Sequence, residues 1–317
     1  MIDGPLPMLA LAYGADLLIG DPEWFPHPVR AMGAAIHWGE RCLRRIMPWE
    51  RLAGIVLVAA VVGASYGAAC WFLRLRVLSS TWGLLAGAAL LFTCLSTKDL
   101  AGESHRVLQA LEVGDLPLAR QRVGRIVGRD TQQLDAPEIV RATIETIAES
   151  TLDGICSPLF YFVVGGVPGA VAYKAVNTLD SMIGHRSARY LRFGWAAATL
   201  DTAANWLPAR LSAALFAVAA WVNRADAASA WRCAWRDGDG GPVPNAGIPE
   251  AAMAGALRVR LGGVNRYDGR PVEMPPMGEP RRLLEPERIR EAIRLMYVCS
   301  LVAWLAAMGA LAITTRW

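Results

Sequence analysis

Lysine is almost missing from this chain. Of 32 basic residues only Lys98 and Lys174 are lysines, and the rest are arginine. No GxxxxGK[ST] loop, GxGxxG turn or HExxH pair occurs in it. That excludes a P-loop nucleotide site, a Rossmann dinucleotide site and a zincin as motif-borne functions. The six cysteines (Cys42, Cys70, Cys94, Cys156, Cys233 and Cys299) include no CxxC pair. Several lie in apolar runs, so buried reduced thiols are expected rather than a zinc or disulfide framework. Charged residues make up only 19%, with no interleaved basic and aromatic surface of the kind that binds nucleic acid. A cleaved signal is not expected either: no basic region precedes the apolar run Leu6–Gly20, and Asp16 interrupts it. That run reads as a short, partly buried helix.

What the chain has is apolar length. Hydrophobic residues account for 54% of its 317 residues, and mean hydropathy is +0.30. Uncharged runs extend over Leu52–Leu73, Val77–Thr97 and Leu295–Thr315, each matching the roughly 20 residues that cross a bilayer core. Trp71, Trp82 and Trp317 sit near their ends, where indoles favour the membrane interface. The expected class is therefore an all-α integral membrane protein. It has about four to five transmembrane or re-entrant segments in a single polytopic domain over residues 1–317. Arginines before Leu52, after Thr97 and before Leu295 place helical loops at about 98–153 and 224–294 in the cytoplasm. The number of crossings between Asp153 and Arg224 is then even. Leu211–Asn223 is too short to span alone, and Gly154–Tyr173 is broken by Pro158, Gly165, Gly166 and Pro168. A re-entrant segment is expected there.

The chemistry gathers around that broken run. Upstream, Glu138, Arg141, Glu145 and Glu149 recur at helical spacing and lead into Asp153. Downstream, Lys174, Asn177, Ser181 and His185 share a helical face with Asp180 beside them, and Asp201 and Asn205 are four apart. Carboxylate and amide oxygens are the hard donors that magnesium takes alongside substrate phosphates. Asp21, His27 and Arg30 lie in a proline-rich loop where charge is costly at a membrane edge. Pro249 and Glu250 begin a helix that Gly262–Gly263 ends, and a helix start can hold an anion.

These residues sit in long stretches that resemble one family. They are GDPEWFPHPVRAMG at 20–33, GDLPLAR at 114–120, VGRDT at 127–131 and ETIAESTLDGICSPLFY at 145–161. GGVPGAVAYKAVNTLDSMIGHRSARYLRFGWAAATLDTAANWLPARL follows at 165–211, and PNAGIPEAAMAGALRVRLGG at 244–263. In this order, over almost the whole chain, they resemble the cobalamin-biosynthesis family CobD/CbiB, the adenosylcobinamide-phosphate synthases. Ser150 stands where that family usually has Asn. Gly241-Pro242-Val243-Pro244-Asn245 stands where it usually has His-Pro-Ser-Pro-Asn.

The resemblance implies a bacterial inner-membrane ligase with cytoplasmic active-site loops. ATP would drive amide formation between a carboxylate of adenosylcobyric acid and aminopropanol phosphate, or aminopropanol. Its partners would be these substrates and membrane lipid, with association to other cobalamin-pathway enzymes and no nucleic acid. Magnesium would be held among Glu145, Glu149, Asp153, Asp180 and Asp201. Lys174, Arg186 and Arg189 would contact phosphate, and His27 or His185 would deprotonate the amine. Arg30, Asn177, Ser181, Asn205, Asn245 and Glu250 complete the candidate substrate site. The competing classes are a non-enzymatic corrinoid carrier or scaffold and a magnesium-dependent transferase acting on a lipid-linked pyrophosphate.

Overall fold

The computed structural model describes residues 4–21, 27–74, 80–185, 187–239 and 245–314. Among them are twelve α-helices and one small hairpin. In chain order they are α1 (Pro5–Leu18), α2 (Pro28–Ile46), α3 (Glu50–Arg74), α4 (Ser80–Phe92), α5 (Thr97–Glu112), α6 (Leu116–Val123) and α7 (Ala136–Thr151). There follow a π-turn (Leu152–Cys156), α8 (Ser157–Ile183), α9 (Trp195–Val222), α10 (Ala227–Asp237), α11 (Gly247–Leu257), β1 (Arg260–Tyr267), β2 (Arg270–Gly278) and α12 (Pro286–Thr314). The chain divides into two units. One comprises Met1–Ser96, Ser157–Trp206 and Ala306–Trp317, and the other Thr97–Cys156 and Leu207–Leu305.

By length and composition, four helical stretches can cross a membrane: Glu50–Arg74, Thr81–Glu112, Ala136–Ile183 and Pro286–Thr314. The all-α membrane class is therefore right. α3 shows what such a helix looks like in the first unit. It buries Ala53, Leu57, Val58 and Val61 and exposes Leu52, Ile55, Val56, Trp71 and Phe72. In hydrocarbon that exposed face costs nothing, because the backbone bonds are closed within the helix. The stretch expected at Val77–Thr97 is shorter: α4 ends at Phe92, and i→i+3 bonds from Cys94 and Leu95 tighten its exit.

The broken run folds back on itself. Gly166 leaves helical geometry at φ 62°, ψ −160°, a region only glycine enters cheaply. The arm after it returns along the arm before it. Tyr161 and Tyr173 stack at 5.0 Å with 11° between rings. A Cβ on Gly169 would lie 2.6 Å from the Tyr161 carbonyl, so only glycine fits at that approach. The run is a helical pair bent at Gly166.

Two boundaries differ from expectation. Leu211–Asn223 is not a separate short segment but the second half of the 28-residue α9, which runs through Pro208. Proline has no N–H to give the carbonyl four residues earlier. That carbonyl, Ala204 O, accepts instead from the Tyr161 hydroxyl at 2.9 Å. α9 is long enough to cross a membrane, but Asp201, Asn205 and Arg210 dilute its apolar content, and it is not among the four stretches above.

In the second unit, α11 stops at Leu257, not at Gly262–Gly263. Arg258 takes the left-handed C-cap at φ 57°. The glycines belong to an antiparallel hairpin whose Asp268–Gly269 turn has φ of 50° and 75°. Two positive φ values are the type I′ signature that Asp-Gly favours. The segments expected as loops, about 98–153 and 224–294, both fall within this second unit.

Candidate functional site

A cavity of about 160 Å³ opens in the second unit, between the 126–129 turn, α7, the start of α11 and the hairpin. α7 reaches it with a defined phase. A capping box joins Asp135 and Glu138, and Pro137 sits in the first turn. Arg141 and Glu145, one turn apart, thereby face inward. Both are buried, at 7% and 8% exposure, so they are not a solvated stripe. Glu145 accepts from Arg129 Nη2 at 2.6 Å, Arg141 Nη1 at 3.3 Å and the Gly262 amide at 2.9 Å. Arg141 also donates to the carbonyls of Gly262 and Val264, which pins β1 to α7. Arg129 bonds Asn265 as well, and its Nε–H is buried with no acceptor among the described residues.

Glu250 enters from the first turn of α11 and lines the cavity with Glu145 and Glu149. Burial first, and then the charges of Glu145 and Glu149, push its carboxyl well above the usual carboxylate range against the pull of Arg129 and Arg141. Asp237 also lines the space, but it accepts from Arg236 and from the Gly278 amide. Burial raises its carboxyl while the Arg236 and Gly278 hydrogen bonds outweigh that, leaving it below its ordinary value.

The first unit holds two polar assemblies of its own. Asn205 is 1% exposed. Its Oδ1 accepts from Ser157 Oγ at 2.7 Å and Tyr173 Oη at 2.9 Å, and its Nδ2 donates to Asp201 at 3.1 Å. This amide ties both arms of the bent run to α9. Elsewhere Glu40, 3% exposed, accepts from Arg44 Nε and from Arg189 Nε and Nη2 at 3.0–3.1 Å. Arg44 in turn lies over the Phe193 ring at 4.3 Å.

The residues singled out in sequence thus fall into separate settings. Glu145, Glu149 and Glu250 meet at the cavity, and Asn245 is buried at the start of α11. Asp153 lies in the π-turn between α7 and α8, a geometry that recurs at functional sites. Asp201 and Asn205 are bonded to each other. Lys174, Asn177, Asp180 and Ser181 lie on α8, with Lys174, Asn177 and Asp180 half-buried. His185 follows the end of α8, exposed and 6.4 Å from the Tyr190 ring, and Arg30 is exposed on α2.

Two of these candidates have protein partners. Arg189 bonds the Glu40 carboxylate. His27 caps α2: its Nδ1 accepts from the Val29 amide at 3.2 Å and its Nε2 lies 3.5 Å from Asp21. An accepting Nδ1 puts the neutral ring's proton on Nε2. Arg186 and the 241–244 stretch lie outside the described residues. Sequence reasoning missed Arg129, Asn265 and Tyr267 at the cavity. The Arg141–Glu145 spacing was readable, but nothing local marks Arg129, which reaches Glu145 across a turn.

The family model described as CobD/Cbib protein matches residues 9–296. A protein of Geobacter metallireducens called cobalamin biosynthesis protein CobD is 48% identical over 296 residues, covering 92% of this chain and 93% of that protein. One of the same name from Pelobacter propionicus is 43% identical over 318 residues, covering 99% and 97%. The cobalamin biosynthesis protein CbiB of Salmonella typhimurium is 42% identical over 297 residues, covering 92% and 93%. No solved structure matches. With relatives aligned over nearly their full length and the family model spanning both units, the chain belongs to the CobD/CbiB family of cobalamin biosynthesis.

Proposed function

We propose that the chain forms the amide between adenosylcobyric acid and aminopropanol phosphate, or aminopropanol, at the expense of ATP. The observation that carries this reading is the second-unit cavity. Carboxylates and a buried guanidinium surround a space for a small polar ligand, in a chain whose relatives are cobalamin-biosynthesis proteins. A carboxylate is a poor electrophile. Attack of its oxygen on the γ-phosphorus of ATP would release ADP and leave an acyl phosphate. The amine nitrogen then bonds the acyl carbon, phosphate departs and the nitrogen loses a proton. Positioning and neutralisation of phosphate charge dominate such a step.

Among the described residues no three His, Cys, Asp or Glu side chains converge to hold a metal ion. A magnesium ion that arrives on the nucleotide would take one or two carboxylates along with phosphate oxygens. Its charge would offset that of the transferring phosphoryl group. Asp180 and Asp201, both of the first unit, are the carboxylates proposed to hold it, since Glu145 is already bonded to two guanidiniums. Lys174 is proposed to contact phosphate. The protein is placed in the inner membrane with the loop at Ser187 and the hairpin tip at Asp268 both cytoplasmic. Cysteines introduced there should be labelled only from the cytoplasmic side; periplasmic labelling of Ser187→Cys would overturn this placement.

Purified chain in detergent, given ATP, magnesium, adenosylcobyric acid and either amine, should release ADP and yield the amide. Absence of ADP release and of product with both amines would leave a carrier or scaffold as the better reading.

A further inference from the structure

We propose that the outward face of α2 is a binding surface for anionic phospholipid headgroups, with the helix lying in the membrane interface. This surface is separate from the reaction proposed above and does not depend on it.

Packing confines α2 to that depth. It meets α3 and α8 near their ends, and each of those helices belongs to a membrane-length stretch. A Cβ on Gly39 would clash with Leu57 near the start of α3. One on Gly33 would lie 3.5 Å from the sulfur of Met182, beside the last residue of α8. The same two helix ends share one loop, since Gly54 abuts the Phe193 carbonyl and Gly194 the Ile183 carbonyl. The link Met47–Trp49 spans at most about 14 Å, so the end of α2 stays close to where α3 begins.

The outward face has the pattern of an interfacial helix. Met32, Ile36, Gly39 and Glu40 form the buried side. At about 3.6 residues per turn, the opposite side carries Trp38 with Arg45 nearly in line. Arg41 falls on one flank, and Ala35, Cys42 and Ile46 fall on the other. A cationic strip thus runs beside an apolar one, with an indole on the dividing line. Trp38, Ile46 and Trp49 are 70%, 73% and 70% exposed. Indoles favour the headgroup level, where ring and N–H are both served.

Charge selects the lipid. Arg44 is bonded to Glu40 and Glu50. Arg41 and Arg45 are exposed and form no ion pair among the described residues. Two uncompensated cations beside an apolar strip match a surface that offers phosphate and acyl chain at adjoining depths. An acidic soluble protein would answer the arginines but not Ile46 and Trp49 at the mouth of a membrane-length helix.

The test uses the full chain in nanodiscs of phosphatidylcholine, alone or with roughly one-third phosphatidylglycerol. Trp38 emission is isolated as wild type minus Trp38→Phe. Acyl chains brominated just below the headgroup should quench it, and aqueous iodide should not. Affinity is then read from Trp38 emission as short-chain phosphatidylglycerol is titrated into the chain in neutral detergent. Each cation near the surface is worth about fivefold, so Arg41→Gln with Arg45→Gln should weaken binding about thirtyfold. Lysine at both positions keeps the charge and should restore most of the affinity. High salt should bring wild type towards the glutamine variant. Equal melting of all variants in phosphatidylcholine would set these losses apart from misfolding. Quenching by iodide but not by brominated chains overturns the proposal. So does equal phosphatidylglycerol affinity in wild type and the glutamine variant, or no preference over phosphatidylcholine. Loss of both quenching signals when two chains share a nanodisc also overturns it, making the face a contact between copies.

Discussion

Replacing Glu145 tests whether the cavity wall is an ion network or a set of solvated side chains. The Arg129, Arg141 and Glu145 side chains are 5%, 8% and 10% exposed. Removing one partner of a buried pair costs about 3–5 kcal/mol, because the remaining charge is left uncompensated. Glu145→Ala abandons two guanidiniums and the Gly262 amide. Arg141 still has the Gly262 and Val264 carbonyls and Arg129 still has Asn265. That places the loss within this range rather than above it. Glu145→Gln keeps the volume and one acceptor and should lose about 1.5–3 kcal/mol, as for hydrogen bonds to charged groups. Arg141→Met with Glu145→Leu should recover part of the loss, since an apolar pair of similar volume is often neutral.

The loss should also depend on pH. Glu145 helps to raise the Glu250 carboxyl. A group raised on folding contributes stability that is full below its unfolded pKa, near 4.5, and is lost as pH rises through its folded value. Glu145→Gln lessens that loss, so its penalty should be smaller at pH 7 than at pH 4.5. The assay is denaturant unfolding in detergent followed by helix signal at both pH values. A Glu145→Ala penalty below about 1 kcal/mol, the scale of an exposed pair, would refute the buried-network account.

Lys174→Arg should insert and melt normally yet lose most ATP-dependent product, with Lys174→Met worse, because a planar fork does not replace a compact ammonium at phosphate. Wild-type turnover in Lys174→Arg would make it an interface anchor. Asp180→Asn or Asp201→Asn should lower turnover by about a hundredfold or more, the scale of a lost electrostatic contact; near-normal turnover in both removes them from the site. At Glu40, burial raises the carboxyl, but hydrogen bonds from Arg189 and Arg44 outweigh it and hold the group below its ordinary 4.5. Its contribution is therefore present above that pH and lost as pH falls through the folded value. Glu40→Gln should melt earlier than wild type at pH 7 and approach it in acid. Arg189 makes the larger of the two lowering contributions, but at 63% exposure solvent screens it.

What could be read in advance follows how local the signal is. α3 and α12 were readable because an uncharged run of membrane length has few alternatives. The turn at Gly166 was readable as a break, since two glycines and two prolines interrupt one apolar run. The continuation of α9 through Pro208 was not, because the hydroxyl that satisfies the stranded carbonyl comes from Tyr161, more than forty positions earlier. The β-hairpin carried an Asp-Gly turn, but the apolar alternation in 260–278 is weak. At the cavity, Arg141, Glu145 and Glu149 announce themselves by helical spacing. Arg129, Asn265 and Tyr267 join them only through tertiary folding.

The Tyr161–Ala204 bond also sets an order on change. While Pro208 is present, Tyr161→Phe strands a carbonyl, so that substitution is penalised. Once Pro208 becomes alanine, the restored amide can return to Ala204 and the tyrosine hydroxyl becomes expendable. The two positions are therefore epistatic in one direction: a lineage could shed the proline and then the tyrosine at little cost, but the reverse order would pass through a weakened α9.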